Sequence, residues 1–458
     1  MHQQLPSVSA MSLKVAMSRP TDVIAAAAHP LTDDHQDYDG LMGLIGDRRL
    51  VMIGEASHGT HEFYRERVRI TQRLIEEKGF TAVAVEGDWP DAYRINRYAL
   101  GITADPDAET ALRGFGRFPS WMWRNREVLH FVQWMRERND AQTGQERKAR
   151  FYGLDLYSLR ASISSVIGYL DAVDPAEAQR ARARYSCFDH VGANGHAYGY
   201  SVAAQRALPC ENEVVEQLVE LRRLAEHYLR SDGLAAEDAQ FDAEQNAVVV
   251  RDAEEYYQQM YRATVSSWNL RDRHMAATLE SLIGHLDRQF GHAKVVVWEH
   301  NSHIGDARAT AMSHRGEFNI GQLVRQRHGS ESFLIGFSTY DGSVTAATDW
   351  GNQPERMRVN PALDESHEAL LHGVGLPNYW ISTHGQRVHD VLSVPRLERA
   401  IGVVYRPHTE RMSHYFQANM ADQFDAVVHI DRTSALEPLE RTEKWDRGEP
   451  PETYPSGL

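Results

Sequence analysis

The apolar residues of this chain cluster in short runs separated by stretches of helical period. Seven runs read as buried strands, which in a parallel sheet are continuously hydrophobic because both faces are covered. They are Leu50–Ile53, Ala82–Val85, Phe151–Tyr152 with Leu154, Val295–Trp298, Phe333–Phe337, Ile401–Tyr405 and Ala426–Ile430. Between the first two, residues 61–78 place Phe63, Val68, Ile70, Leu74 and Ile75 among charged residues, and Gly79 follows as a helix stop. Strand–helix–strand alternation predicts an α/β fold with a mainly parallel central sheet flanked by helices.

Residues 160–290 break the alternation. They are charge-rich and helical in period, with almost no strand signal, and they predict a large helical insertion. SDGLAAED (231–238) reads as a loop within it, and CFDHVGANGHAYGYS (187–201) has no clear periodicity. The chain thus divides into a disordered lead-in (1–20), a first α/β part (21–159), the insertion (160–290), a second α/β part (291–445) and a loose tail (446–458).

Composition narrows the partners. With 49 Lys and Arg against 64 Asp and Glu the net charge is −15. Such a surface repels phosphate backbones and anionic lipids, so nucleic acid and membrane are poor partners and a small molecule is the better one. No apolar run approaches the ~20 residues needed to span a bilayer, and the first twenty residues lack the apolar segment of a secretory signal. Cys187 and Cys210 sit in no CxxC pattern and read as unpaired thiols. A cytoplasmic location is the expectation.

The candidate chemistry lies where the strands end. The first run is followed by Gly54-Glu55-Ala56-Ser57-His58-Gly59, the second by Glu86-Gly87-Asp88, the third by Asp155 and the fourth by Glu299-His300-Asn301-Ser302-His303. In a parallel sheet, ligands bind beyond the carboxyl ends of the strands, so these segments share one rim however far apart they lie in sequence. A histidine such as His58 can take a proton from water if a carboxylate orients its ring. Each residue also has a structural alternative. Ser57 or Thr60 could cap the following helix, Glu86 could pair with Arg94, and Asn301 or Ser302 could cap a helix after His300. Glu55, His58, Glu86, His300 and His303 could hold a divalent cation, or could work without one. No GxSxG elbow is present, and neither cysteine adjoins a histidine-rich motif.

Taken together, VMIGEASHGTHEFYRER, AVEGDWPDAYRIN, FYGLDLYS, SWNLRDRHM, VVWEHNSHIGDAR, GQLVR and YRPHTERMSHYF resemble the erythromycin esterase family, in family order from about residue 50 to 440. The resemblance implies hydrolysis of an ester or lactone, with the macrolactone of macrolides such as erythromycin as the family's substrate. It implies His58 as the general base that activates water, without a covalent intermediate. Glu55, Arg67, Glu86, His300 and His303 fall on the family's other catalytic positions. Asp88, Asp155 and Asn301 on the same rim are read as substrate-binding. The resemblance further implies catalysis without a cofactor or metal, and a helical insertion that forms one wall of the active-site cleft. Arg271 and Asp272 lie in a family motif without an assigned role. Two rivals stand beside this reading: a metal-dependent hydrolase using the same cluster, and a non-catalytic small-molecule- or metal-binding homologue.

Overall fold

A computed structural model describes residues 19–191, 195–229, 234–261 and 264–448. Its centre is an eight-stranded sheet of β1 (His29–Pro30), β2 (Leu50–Ile53), β3 (Ala82–Asp88), β4 (Arg150–Asp155), β5 (Val295–Trp298), β6 (Ser332–Ser338), β7 (Asn378–Ser382) and β8 (Ala426–Ile430). The order is β1-β7-β8-β6-β2-β5-β3-β4. The run from β8 to β4 is parallel throughout; β7 and β1 pair antiparallel at one edge. The sheet is therefore mainly parallel, as the continuous apolar runs predict. Every residue of β2, β3, β4, β5, β6 and β8 is buried.

The register sets up the site. Ile53 pairs with Trp298, and Val85 pairs with the same Trp298 on its other side. Three strands therefore end level, so Glu55, Glu86 and His300 emerge side by side. At the sheet's far edge the β3–β4 register slips after Val85, and Asp88 comes to face Asp155.

Helix α1 (His61–Glu77) follows β2 and buries Phe63, Ile70 and Leu74, with Arg67 on the same stripe; Gly79 beyond it takes φ 73°, which only glycine adopts without strain. Helix α2 (Trp89–Leu100) follows β3. Among the described residues six α-helices separate β4 from β5: α3 (Leu159–Val173), α4 (Pro175–Tyr185), α5 (Gly195–Ala203), α6 (Glu211–Leu229), α7 (Leu234–Gln259) and α8 (Thr264–Phe290). Their apolar faces form a core of their own, including Leu159, Val166, Ala181, Tyr198, Leu218 and Val250. Helix α8 bridges the two parts. It packs Met275, Leu279 and Leu286 with Leu50, Val295 and Val297 of the sheet, while its first turns reach the rim.

Four expectations need correction. Ile401–Tyr405 is not a strand. Ile401 and Val404 make single bridges to Ser57 and Ala347, and the run is apolar because Ile401 and Tyr405 pack against a separate three-stranded sheet. Cys187 and Cys210 are joined in a disulfide, brought together by the folding of the insertion rather than by any local motif. Of the loop expected at 231–238, residues 234–238 already belong to α7, and 231–233 lie outside the described residues. At the ends, Pro20 opens a helix to Ala27, and Glu443–Arg447 is helical with Trp445 buried, its indole donating to Thr345 Oγ1 at 2.8 Å. Most of the expected lead-in and tail lies outside the described residues. No described helix is long and apolar enough to cross a membrane.

Candidate active site

The turn after β2 is held by its glycines. A Cβ on Gly54 would collide with the Asn301 side-chain oxygen, and one on Gly59 with the Thr345 backbone. The apolar Ile401 segment closes the turn from the other side, where its carbonyl accepts from the His58 amide at 3.2 Å. This fixes His58 at the floor of a cavity of about 320 Å³. Glu86, Asp88, Asp155, His300 and His303 share that cavity, with Arg271 and Trp268 reaching in from α8 and Phe118, Trp123 and Trp350 forming an aromatic wall.

Glu55 lies behind the histidine. Its Oε1 is 2.9 Å from His58 Nδ1, and its Oε2 accepts from Arg67 Nη2 at 3.0 Å. Arg67 is fully buried and does not line the cavity. Its guanidinium sits 4.3 Å from the Tyr64 ring and 5.2 Å from that of Trp298. Its polar contact is with Glu55, behind the cavity.

On the cavity side, His58 Nε2 is 3.8 Å from Glu86 Oε1, a separation one water can bridge. Burial alone would depress the His58 pKa; the Glu86 charge and the Glu55 hydrogen bond outweigh it and hold the imidazole above its usual range. Burial pushes Glu86 the opposite way, and the charges of His303, His58 and Arg271 with the His300 amide (2.9 Å from Oε2) bring it well below the usual carboxylate range.

His300 is placed differently. Its Nδ1 lies 2.8 Å from Ser302 Oγ and accepts from the Ser302 amide, and the ring, buried beside the Ala56 backbone, lines the cavity. Burial and the neighbouring His58 hold its pKa well below the ordinary value, which favours the neutral ring. With Nδ1 accepting, Nε2 carries the hydrogen. His303 is clamped between Asp272, 2.9 Å from Nδ1, and Arg271 Nη1, 3.1 Å from Nε2, with Trp268 stacked on its face at 4.5 Å.

Arg271 is the hub. It donates to Asp155 from Nε and Nη2 at 3.0 and 2.7 Å and to Glu86 from Nη2 at 2.7 Å. Its guanidinium stands among Glu86, Asp155 and His303, where a cation bound by those groups would have to sit. Among the described residues no three His, Cys, Asp or Glu side chains are grouped as a metal site requires.

The structure thus brings His58, Glu86, His300, His303, Asp88 and Asp155 to one cavity, with Glu55 and Arg67 behind it. Asn301 stands apart. Both halves of its amide are used by the Phe337 backbone, at 2.7 and 3.1 Å, so it ties the β5 loop to β6 and does not line the cavity. Glu86 pairs with Arg271 and not with Arg94, which takes Asp105.

The profile of the erythromycin esterase family matches residues 75–433. The chain belongs to the erythromycin esterase family. Erythromycin esterase type II of Escherichia coli is 22% identical over 435 residues, which cover 89% of this chain and 95% of that protein. A Bacillus cereus protein of known structure superposes with a TM-score of 0.75 at 19% identity, covering 92% of this chain and 98% of its own. A histidine-to-asparagine mutant of erythromycin esterase EreC in its open conformation gives a TM-score of 0.65 at 16% identity, over 89% and 96% of the two chains. Membership in the erythromycin esterase family points to hydrolase chemistry on a small molecule.

For this erythromycin esterase family member the sequence reading left Arg271 and Asp272 without roles and did not single out Tyr157, Trp268, Arg117 and Asp91, which also line the cavity. Adjacent charged residues opening a long amphipathic helix carry no local sign of what they face. Only the docking of α8 on the rim assigns Arg271 to Glu86 and Asp272 to His303.

Proposed function

We propose that the chain hydrolyses an ester or lactone by direct attack of a water activated by His58. One observation supports this above the rest: the His58 ring is anchored at Nδ1 by Glu55 while Nε2 faces the cavity beside Glu86. With Nδ1–H donating to Glu55, Nε2 holds the free lone pair and takes a proton from a water lodged against Glu86. The resulting hydroxide attacks the carbonyl carbon. The neutral His300 Nε2–H donates to the oxyanion. When the tetrahedral intermediate breaks, the imidazolium of His58 returns the proton to the departing alkoxide, so acid and alcohol form with one water consumed. His303 and Arg271 position Glu86, and Arg67 positions Glu55. The family relation makes macrolactones such as erythromycin the first substrates to try.

The test is mass spectrometry of erythromycin and a panel of esters and lactones, incubated with the protein in ¹⁸O-labelled water beside its His58→Ala variant and a chelator-treated sample. A product heavier by one labelled water, absent with the variant and retained with chelator, is the expected result. Loss of turnover on chelation would instead favour the metal-dependent rival, and equal turnover by His58→Ala would overturn the role of this histidine.

A further inference from the structure

A second cavity of about 280 Å³ adjoins the first. The two share Asp88, Asp91, Arg117 and Tyr157, and the outer wall of the second comes from the insertion, with His196 of α5 and Tyr257 of α7. Two carboxyl groups on the shared boundary leave hydrogen-bonding capacity unused. Asp88 accepts from Arg117 Nη2 and Nε, at 2.7 and 3.2 Å, through Oδ2 alone; Oδ1 is buried and unbonded, in a side chain only 7% exposed. The Asp91 carboxyl makes no hydrogen bond to any described residue. Burial and the neighbouring Asp88 push its carboxyl up to about 7, so at neutral pH it can both donate and accept. Arg117 lies over the Tyr157 ring at 5.0 Å and keeps 42% of its side chain exposed.

The ligand chemistry follows from what these groups demand together. Asp88 Oδ1 needs a donor, while Arg117 offers donors a short distance away. An ammonium group would satisfy Asp88 but lie beside the Arg117 guanidinium. A carboxylate or phosphate would satisfy Arg117 but face the Asp88 carboxylate. A hydroxyl donates and accepts without charge, and vicinal hydroxyls on a saturated ring do both at once while the C–H face of the ring lies on an aromatic side chain. The rings of Tyr157, Tyr257 and His196 supply that surface.

We propose that this second lobe is a subsite for a neutral, polyhydroxylated ring carried by the substrate, held by Asp88, Asp91 and Arg117 and stacked on the insertion's aromatic residues. The proposal rests on the hydrolase reading for its place in a substrate, so its first test is independent of turnover.

Binding of methyl pyranosides, followed by saturation-transfer NMR and titration, is expected in the wild type and in His58→Ala alike. Asp91→Leu should weaken it at least tenfold. So should Ala161→Trp, which fills the lobe from an exposed position on α3 and touches none of the catalytic residues. Absence of pyranoside binding, indifference to both variants, or tighter binding of cyclohexylmethylamine than of any pyranoside would overturn the assignment. In a second arm, acetyl esters of pyranosides are compared with ethyl acetate: the sugar esters should show the lower KM, and Ala161→Trp should erase that advantage while leaving kcat on ethyl acetate unchanged. An equal KM for both ester types in the wild type would also overturn it. If neither ester type is turned over, the hydrolase reading fails while the binding arm still decides the subsite.

Discussion

The guanidinium of Arg271 lies 2.7 Å from the carboxylate of Glu86, a residue 185 positions earlier in the chain. The contact joins the helical insertion to the end of β3, and the same guanidinium also holds Asp155 at the end of β4. Arg271→Met would leave two buried carboxylates without their cation. Breaking a buried pair by removing one partner costs about 3–5 kcal/mol. The expected result is a lower denaturation midpoint together with a large fall in kcat/KM. A variant as stable as the wild type by urea titration would show that the pair is not what joins the insertion to the rim.

Loss of His58 should be chemical rather than structural. Its neighbours Glu55 and Arg67 remain paired without it. A positioned general base contributes about 10²–10⁴-fold, so His58→Ala should lose turnover on that scale and keep its circular dichroism spectrum and melting temperature close to wild type.

The histidine also sets the pH response. Its pKa is held above the ordinary 6.5, chiefly by Glu86 and Glu55 acting against burial. As the base it must be neutral, so kcat/KM should rise with pH through a value above that of a free histidine. Glu86→Gln removes the larger of the two raising charges and should move this limb to lower pH. The same shift links to stability: a pKa raised on folding stabilises fully below the unfolded value, and that contribution disappears as pH climbs through the folded one. Stability followed from about pH 5 to pH 9 should therefore decline more in the wild type than in His58→Gln.

Ser302 offers a direct check on the order of events. Its hydroxyl is 2.8 Å from His300 Nδ1 and lines the cavity, an arrangement that could suggest a serine nucleophile. In the water mechanism it only orients His300. Ser302→Ala should then keep kcat within about tenfold, and no acyl-enzyme should appear by intact-protein mass spectrometry. A trapped acyl adduct on Ser302 would replace the mechanism.

Asn301 should matter for stability alone. Asn301→Ala leaves the buried Phe337 amide and carbonyl without partners, at about 1–3 kcal/mol for each group. The melting temperature should fall while KM stays at the wild-type value for the molecules that remain folded.

The amino-acid sequence by itself determined the frame of this protein. Continuous apolar runs such as Val295–Trp298 are buried on both faces and form inner strands, and the acids and histidines immediately after them reach one rim because parallel strands end together. Those are local consequences of burial and chain direction. What tertiary structure decided was the division of labour among the polar groups. Asn301 and His300 stand side by side in the sequence and Arg67 is marked out there only by the family resemblance, yet Arg67 pairs with Glu55 behind the cavity, Asn301 locks two strands together and His300 lines the cavity. The same holds for Ile401–Tyr405, whose apolar run marks a buried loop rather than a strand, and for Cys187 and Cys210, whose disulfide depends on how the insertion folds back on itself. Partners for a buried charge are chosen by packing between elements distant in sequence, and nothing in the spacing of Arg271 encodes that it will meet Glu86.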